Sequence, residues 1–162
     1  MEKTSKTILL PSSSWKKINP YIKLSGEGQP INECEIGDNF QFLEDLGLFN
    51  DTASGELTDI GRAFFESAFI RCDGKEKDIL CKLLLQYPPT IAIQQYLWGV
   101  KDIKIDQALV VLKTMSFWFY DSVKPLTHFL DLLNYAGIIN YKKRLRFSLL
   151  TLEVQKRVLV KY

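Results

Sequence analysis

Histidine is almost missing from this sequence: His128 is the only one. Its neighbours Ser122 and Asp121 are close only in sequence, so no Ser/His/Asp set is legible. Cysteine is scarce as well. Cys34, Cys72 and Cys81 are odd in number, widely spaced and without a CxxC, which argues against a disulfide framework. A structural zinc ion would need all three thiols and His128 to converge, because such sites take four ligands. GxxxxGK[ST], GxGxxG and HExxH are missing, and no carboxylates and lysine show the spacing of a nuclease core. No metal, no cofactor and no enzymatic activity are therefore expected. Apolar runs are broken by Gln, Lys or Pro well before the ~18 residues that a membrane-spanning helix needs. Met1 to Lys6 is polar, and Ile8–Leu10 is too short for a signal core. The expectation is a cytoplasmic protein with three idle thiols, no membrane partner, and, since no polar tail follows Val160-Lys161-Tyr162, room for a longer parent chain.

What is present is enough for a folded core. The chain has 162 residues, 46% of them hydrophobic and 25% charged, which suits one domain or two small ones without staples. A net charge of +2 conceals an uneven layout. Residues 1–25 carry +4, residues 26–83 carry −8, residues 84–139 are neutral, and residues 140–162 carry +6. An acidic middle with basic ends can aim one face at a polyanion.

Spacing and punctuation predict a mainly α fold with small β-hairpins. A short helix is expected from Ser14 to about Leu24. Ile36, Phe40 and Leu43 continue helical spacing from Asn32 onward, and Gly47 stands where a helix would end. Leu48-Phe49, a polar turn through Gly55, and Glu56–Thr58 read as a hairpin. Thr58 then caps another helix. Helices are also expected over 75–87, over 90–98 with Thr90 as cap, and over 105–118, the last strongly apolar and so central. Leu126, Phe129, Leu130 and Leu133 make an amphipathic helix with Pro125 in its first turn. Gly137 ends it. Ile138-Ile139 and Leu145–Leu149 then read as two strands around a basic turn, and residues 151–160 as a helix or a third strand.

Two passages share one grammar. Phe42–Asn50 and Phe129–Asn140 each run from an apolar helix through glycine to a pair of apolar residues, an asparagine and a turn. They form a weak repeat of about ninety residues. The first continues as FLEDLGLFNDTASGELTDIGRAF, which resembles the helix-to-wing segment of winged helix-turn-helix domains. LTHFLDLLNYAGIINYKKRLRFSL is similar in form with a more basic wing. The resemblance implies two winged-helix-like units: residues 1–73, acidic and with an N-terminal extension, and residues 74–162, with a helical insertion at Lys101–Asp121. It further implies double-stranded DNA held by the third helix in the major groove and by the wing on the backbone.

The second unit suits that role. Lys124, Thr127, His128 and Asp131 lie off the apolar stripe of their helix. Lys124 is placed for a phosphate, and Thr127 and His128 for base edges. In the wing, Lys142, Lys143, Arg144 and Arg146 would meet backbone oxygens, with Asn140 and Tyr141 donating hydrogen bonds beside them. The bland alternative is a solvated turn whose charge blocks strand-edge aggregation. The first unit is a poor DNA reader, since Asn39, Gln41, Glu44 and Asp45 line its third helix and Asp51 and Glu56 its wing. It suits protein contact. Phe117–Tyr120 suits core packing, with rings to spare for a dimer or partner. The expected function is non-enzymatic DNA binding, as a regulator or accessory subunit. The alternative is an adaptor that contacts partner proteins or a second copy.

Overall fold

The computed structural model describes residues 9–31, 36–50, 55–96, 102–114, 122–141 and 144–147. Helices dominate them. In chain order these are α1 (Trp15–Gly26), α2 (Asn39–Leu46), α3 (Asp59–Phe65), α4 (Glu76–Leu85), α5 (Pro88–Tyr96), α6 (Ile105–Leu112) and α7 (Lys124–Tyr135). A wider π-helical turn, Glu66–Arg71, extends α3. Three short strands complete the set: β1 (Ile103–Lys104), β2 (Ile139–Tyr141) and β3 (Arg144–Phe147).

Local chemistry explains most boundaries. Trp15, Ile18 and Ile22 give α1 one buried stripe, and the Trp15 ring meets Phe64 of α3 edge-on at 6.0 Å. Thr58 caps α3 as expected, with its side-chain oxygen accepting from the Gly61 N–H at 2.9 Å. Its hydroxyl also donates to the Gly47 carbonyl at 2.6 Å, tying the helix start to the end of α2.

The helix–glycine–strand repeat is visible in the backbone. Gly47 and Gly137 both take left-handed φ, 99° and 80°. After each, the next N–H turns back onto the helix: Leu48 bonds to the Leu43 carbonyl at 3.0 Å, and Ile138 to the Leu133 carbonyl at 2.9 Å. This 6→1 bond is the helix ending that glycine favours. After Gly47 the chain forms a narrow pairing, a single antiparallel bridge from Phe49 to Leu57. After Gly137 it forms a true antiparallel hairpin, β2 with β3. β1 joins on the other side, so the sheet order is β1-β3-β2.

Several expectations need correction. α5 begins at Pro88, and Thr90 is a fully buried residue inside its first turn, not a cap. The apolar run from Ile105 gives only α6 before a turn at Lys113-Thr114 among the described residues. It is peripheral: Ala108 and Leu112 are buried, but Val110 is 67% exposed. The stretch read as an insertion supplies the sheet's third strand, Ile103–Lys104. The expected strand or helix at 151–160 and the aromatic cluster at 117–120 lie outside the described residues.

The buried apolar residues form one cluster from Leu10 to Ile139, crossing the predicted boundary at residues 73 and 74. Tyr87 stands at the junction, with Phe42 on one side at 5.6 Å and Phe129 on the other at 6.0 Å between ring centroids.

Candidate nucleic-acid interface

The residues singled out in the second half are arranged by α7 and the sheet. Leu126, Phe129, Leu130, Leu132 and Leu133 bury one side of α7. That leaves Lys124, Asp131 and Asn134 exposed, and Thr127 and His128 half-buried. Positions 124, 128, 131 and 135 follow helical spacing and so share one stripe. The Thr127 hydroxyl donates to the Val123 carbonyl at 3.1 Å, which bonds it to its own helix. A base edge would meet its oxygen as an acceptor. The far end of the stripe meets α4, although Tyr135 there is still 37% exposed. Lys77 of α4 places its ammonium 4.8 Å from the Tyr135 ring centre, a cation–π contact. Burial, and then the nearby Glu76 carboxylate, push the Tyr135 hydroxyl up from its ordinary value.

The hairpin follows directly. Asn140 of β2 is exposed, while its neighbour Ile139 is 2% exposed and belongs to the core. The pairing sets Asn140 opposite Arg146 and Tyr141 opposite Leu145. On the other flank of β3, Lys104 stands opposite Arg144 and Ile103 opposite Leu145. Paired residues share a face of a sheet, as do residues two apart in a strand. Positions 104, 144, 146 and 140 therefore occupy one face, and positions 103, 145, 141 and 139 the other. Lys104 is exposed, and Ile103 packs against the core. Lys142 and Lys143 lie outside the described residues.

Comparison with protein-family models, curated proteins and solved structures gives no match to this chain. Any functional reading therefore rests on residues and geometry.

Sequence reasoning missed Lys104. Its only signal is the alternation Ile103-Lys104-Ile105, two residues of strand running straight into α6.

In the first half, the structure corrects the expected exposed helix face. Asn39 is buried, with its carbonyl oxygen accepting from the Ser12 N–H at 2.9 Å. Gln41 donates to Asp45 at 2.8 Å, and Gln41, Glu44 and Asp45 are all half-buried. The segment before α1 thus covers part of this face. Glu56 of the first hairpin is exposed, and Asp51 lies outside the described residues.

Among the described residues no group of His, Cys, Asp and Glu is placed to hold a metal ion. Cys72 is exposed, while Cys81 is half-buried, and its thiol is pushed up by burial and then by Asp78. Cys34 is outside the described residues. No helix among the described residues is long and apolar enough to cross a membrane.

Proposed function

We propose that this protein binds double-stranded DNA without catalysing a reaction, as a regulator or as the DNA-contacting subunit of a larger assembly. The observation that carries the reading is the order of elements in its second half. α5, β1, α6, α7, β2 and β3 follow one another, and the sheet order is β1-β3-β2. That arrangement resembles a winged helix. In it α7 takes the place of the groove-entering helix, and the basic Lys142–Arg146 segment takes the place of the wing. Lys124 and His128 lie on the stripe of α7 that would face the groove, with Thr127 beside them, while Asn140, Tyr141, Lys142, Lys143, Arg144 and Arg146 would hold phosphates. Such contacts position a duplex, and base edges specify it.

A mobility-shift titration of a duplex at two salt concentrations tests the proposal. Four to six phosphate contacts predict affinity falling with salt at a logarithmic slope near −0.9 per contact. Lys142→Glu with Arg144→Glu should remove binding and leave the helical circular-dichroism signal unchanged. No binding even at about 50 mM salt, where phosphate contacts are strong, would refute it.

One observation favours partner-protein binding as the second reading. Val110 of α6 and Ile70 of the π-helical turn are 67% and 64% exposed. Polar substitutions there would leave DNA binding intact and abolish partner capture.

A further inference from the structure

We propose that the duplex backbone is held by the whole outward face of the three-stranded sheet, with Lys104 of β1 as a phosphate-binding residue beside Arg144 and Arg146. This rests on the DNA-binding reading above and extends it from the hairpin to a strand forty residues earlier in the chain.

The argument begins with register. β3 is the central strand. Lys104 flanks it at position 144, and Asn140 flanks it at position 146. Strands lie about 4.8 Å apart, so β1 and β2 are separated by about 10 Å across this face. Each DNA strand carries a phosphate for about every 3.4 Å of helix axis. A row of that width spans more than one phosphate. Lys104 and Asn140, the two flanking residues, are both exposed.

Edge protection accounts for a lysine on β1, an edge strand, but cross-strand pairing does not favour a cation at this register. Like charges set directly opposite each other in a sheet destabilise it, yet Lys104 stands opposite Arg144. Asp102 lies just before β1 and is exposed, so one carboxylate adjoins the three basic positions 104, 144 and 146. The face keeps an excess of positive charge. From Leu132 through Leu152 the sequence has no acidic residue at all. A polyanion laid on the face relieves the repulsion that the fold tolerates.

The test uses the full chain and a labelled duplex of about twenty base pairs, a length that exceeds this face, titrated at about 50 mM and about 200 mM salt. Lys104→Ala and Lys104→Glu are compared with Lys104→Arg and with Arg62→Glu, an exposed arginine of α3 in the first half of the chain. The expected result is weaker binding by Lys104→Ala, still weaker by Lys104→Glu, and wild-type binding by Lys104→Arg and Arg62→Glu. One lost phosphate contact means that the wild-type advantage over Lys104→Ala shrinks about 3.5-fold between the two salts. Melting of Lys104→Ala should be unchanged or raised, because a like-charge pair is removed; a lowered melting point would mark Lys104 as structural and overturn the inference. Unaltered binding by Lys104→Glu, with binding abolished by Arg144→Glu, would overturn it too and leave the wing reading intact. Failure of the wild-type chain to hold the duplex at the lower salt would overturn both.

Discussion

Gly61 has no room for a side chain. A Cβ there would stand 2.1 Å from the Leu48 carbonyl oxygen and 3.3 Å from a Leu57 methyl. The obstacle is backbone, so no rotamer change relieves it. Leu48 also accepts the Thr58 N–H at 3.0 Å, which fixes that carbonyl in place. The LTDIGR string thus has a mechanical meaning: Leu57 is buried, Thr58 caps, and Gly61 lets α3 lie against the chain leaving α2. Gly61→Ala is expected to cost about 1–3 kcal/mol, the usual range for overpacking a tight contact. Urea unfolding measures it, with a lower midpoint and an unchanged slope. An unaffected midpoint would mean that the helix can move away from Leu48 at little cost.

The joint between the π-helical turn and α4 works at the scale of elements. Ser67, fully buried, donates its hydroxyl to Asp73 and sits 3.3 Å from Glu76. Asp73 also accepts from the Lys75 N–H at 3.1 Å and from Arg71 at 3.0 Å. These donors, the Ser67 hydroxyl foremost, lower the Asp73 carboxyl from 3.8 to about 2. The ionised form is favoured by folding, so this contribution is complete above about pH 4 and is lost as pH falls through about 2. Asp73→Asn should flatten that acid part of the melting-temperature profile, and an unchanged profile between pH 2 and 4 would remove the carboxylate from the account. None of this joint was legible in the sequence, because it depends on a turn wider than the α-helix. Elements announced by periodicity and glycine were legible: α1, α7, the ends at Gly47 and Gly137, and the basic hairpin. Asn39 reads as an exposed polar residue, yet Ser12 from before α1 meets it. Lys104 reads as part of an insertion, yet a pairing across forty residues puts it beside Arg144. Both failures come from distant partners, which local spacing does not encode.

For the whole molecule, the question is whether the two halves of the chain unfold together. Linked domains usually meet through a modest polar interface, but here one apolar cluster runs through both halves. Tyr87, 3% exposed, packs between Phe42, which it meets edge-on, and Phe129, and donates its hydroxyl to the Leu9 carbonyl at 2.5 Å. It therefore touches α2, α7 and the segment before α1. Removing its ring should cost about 3–5 kcal/mol, as for other buried aromatics. Tyr87→Phe, which keeps the ring, should cost only about 1 kcal/mol for the lost hydrogen bond. A shared core further requires the wild-type chain to melt in one transition, with calorimetric and van't Hoff enthalpies equal. Two resolved transitions, or a Tyr87→Ala variant that melts like the wild type, would show that the halves are stable independently. In the coupled case, anything that stabilises the second half, a bound duplex included, also protects the first. If the chain binds DNA as proposed, hydrogen exchange in α2, which lies outside the proposed interface, would slow when duplex is added, and the degree of slowing would report how much of the core the two halves share.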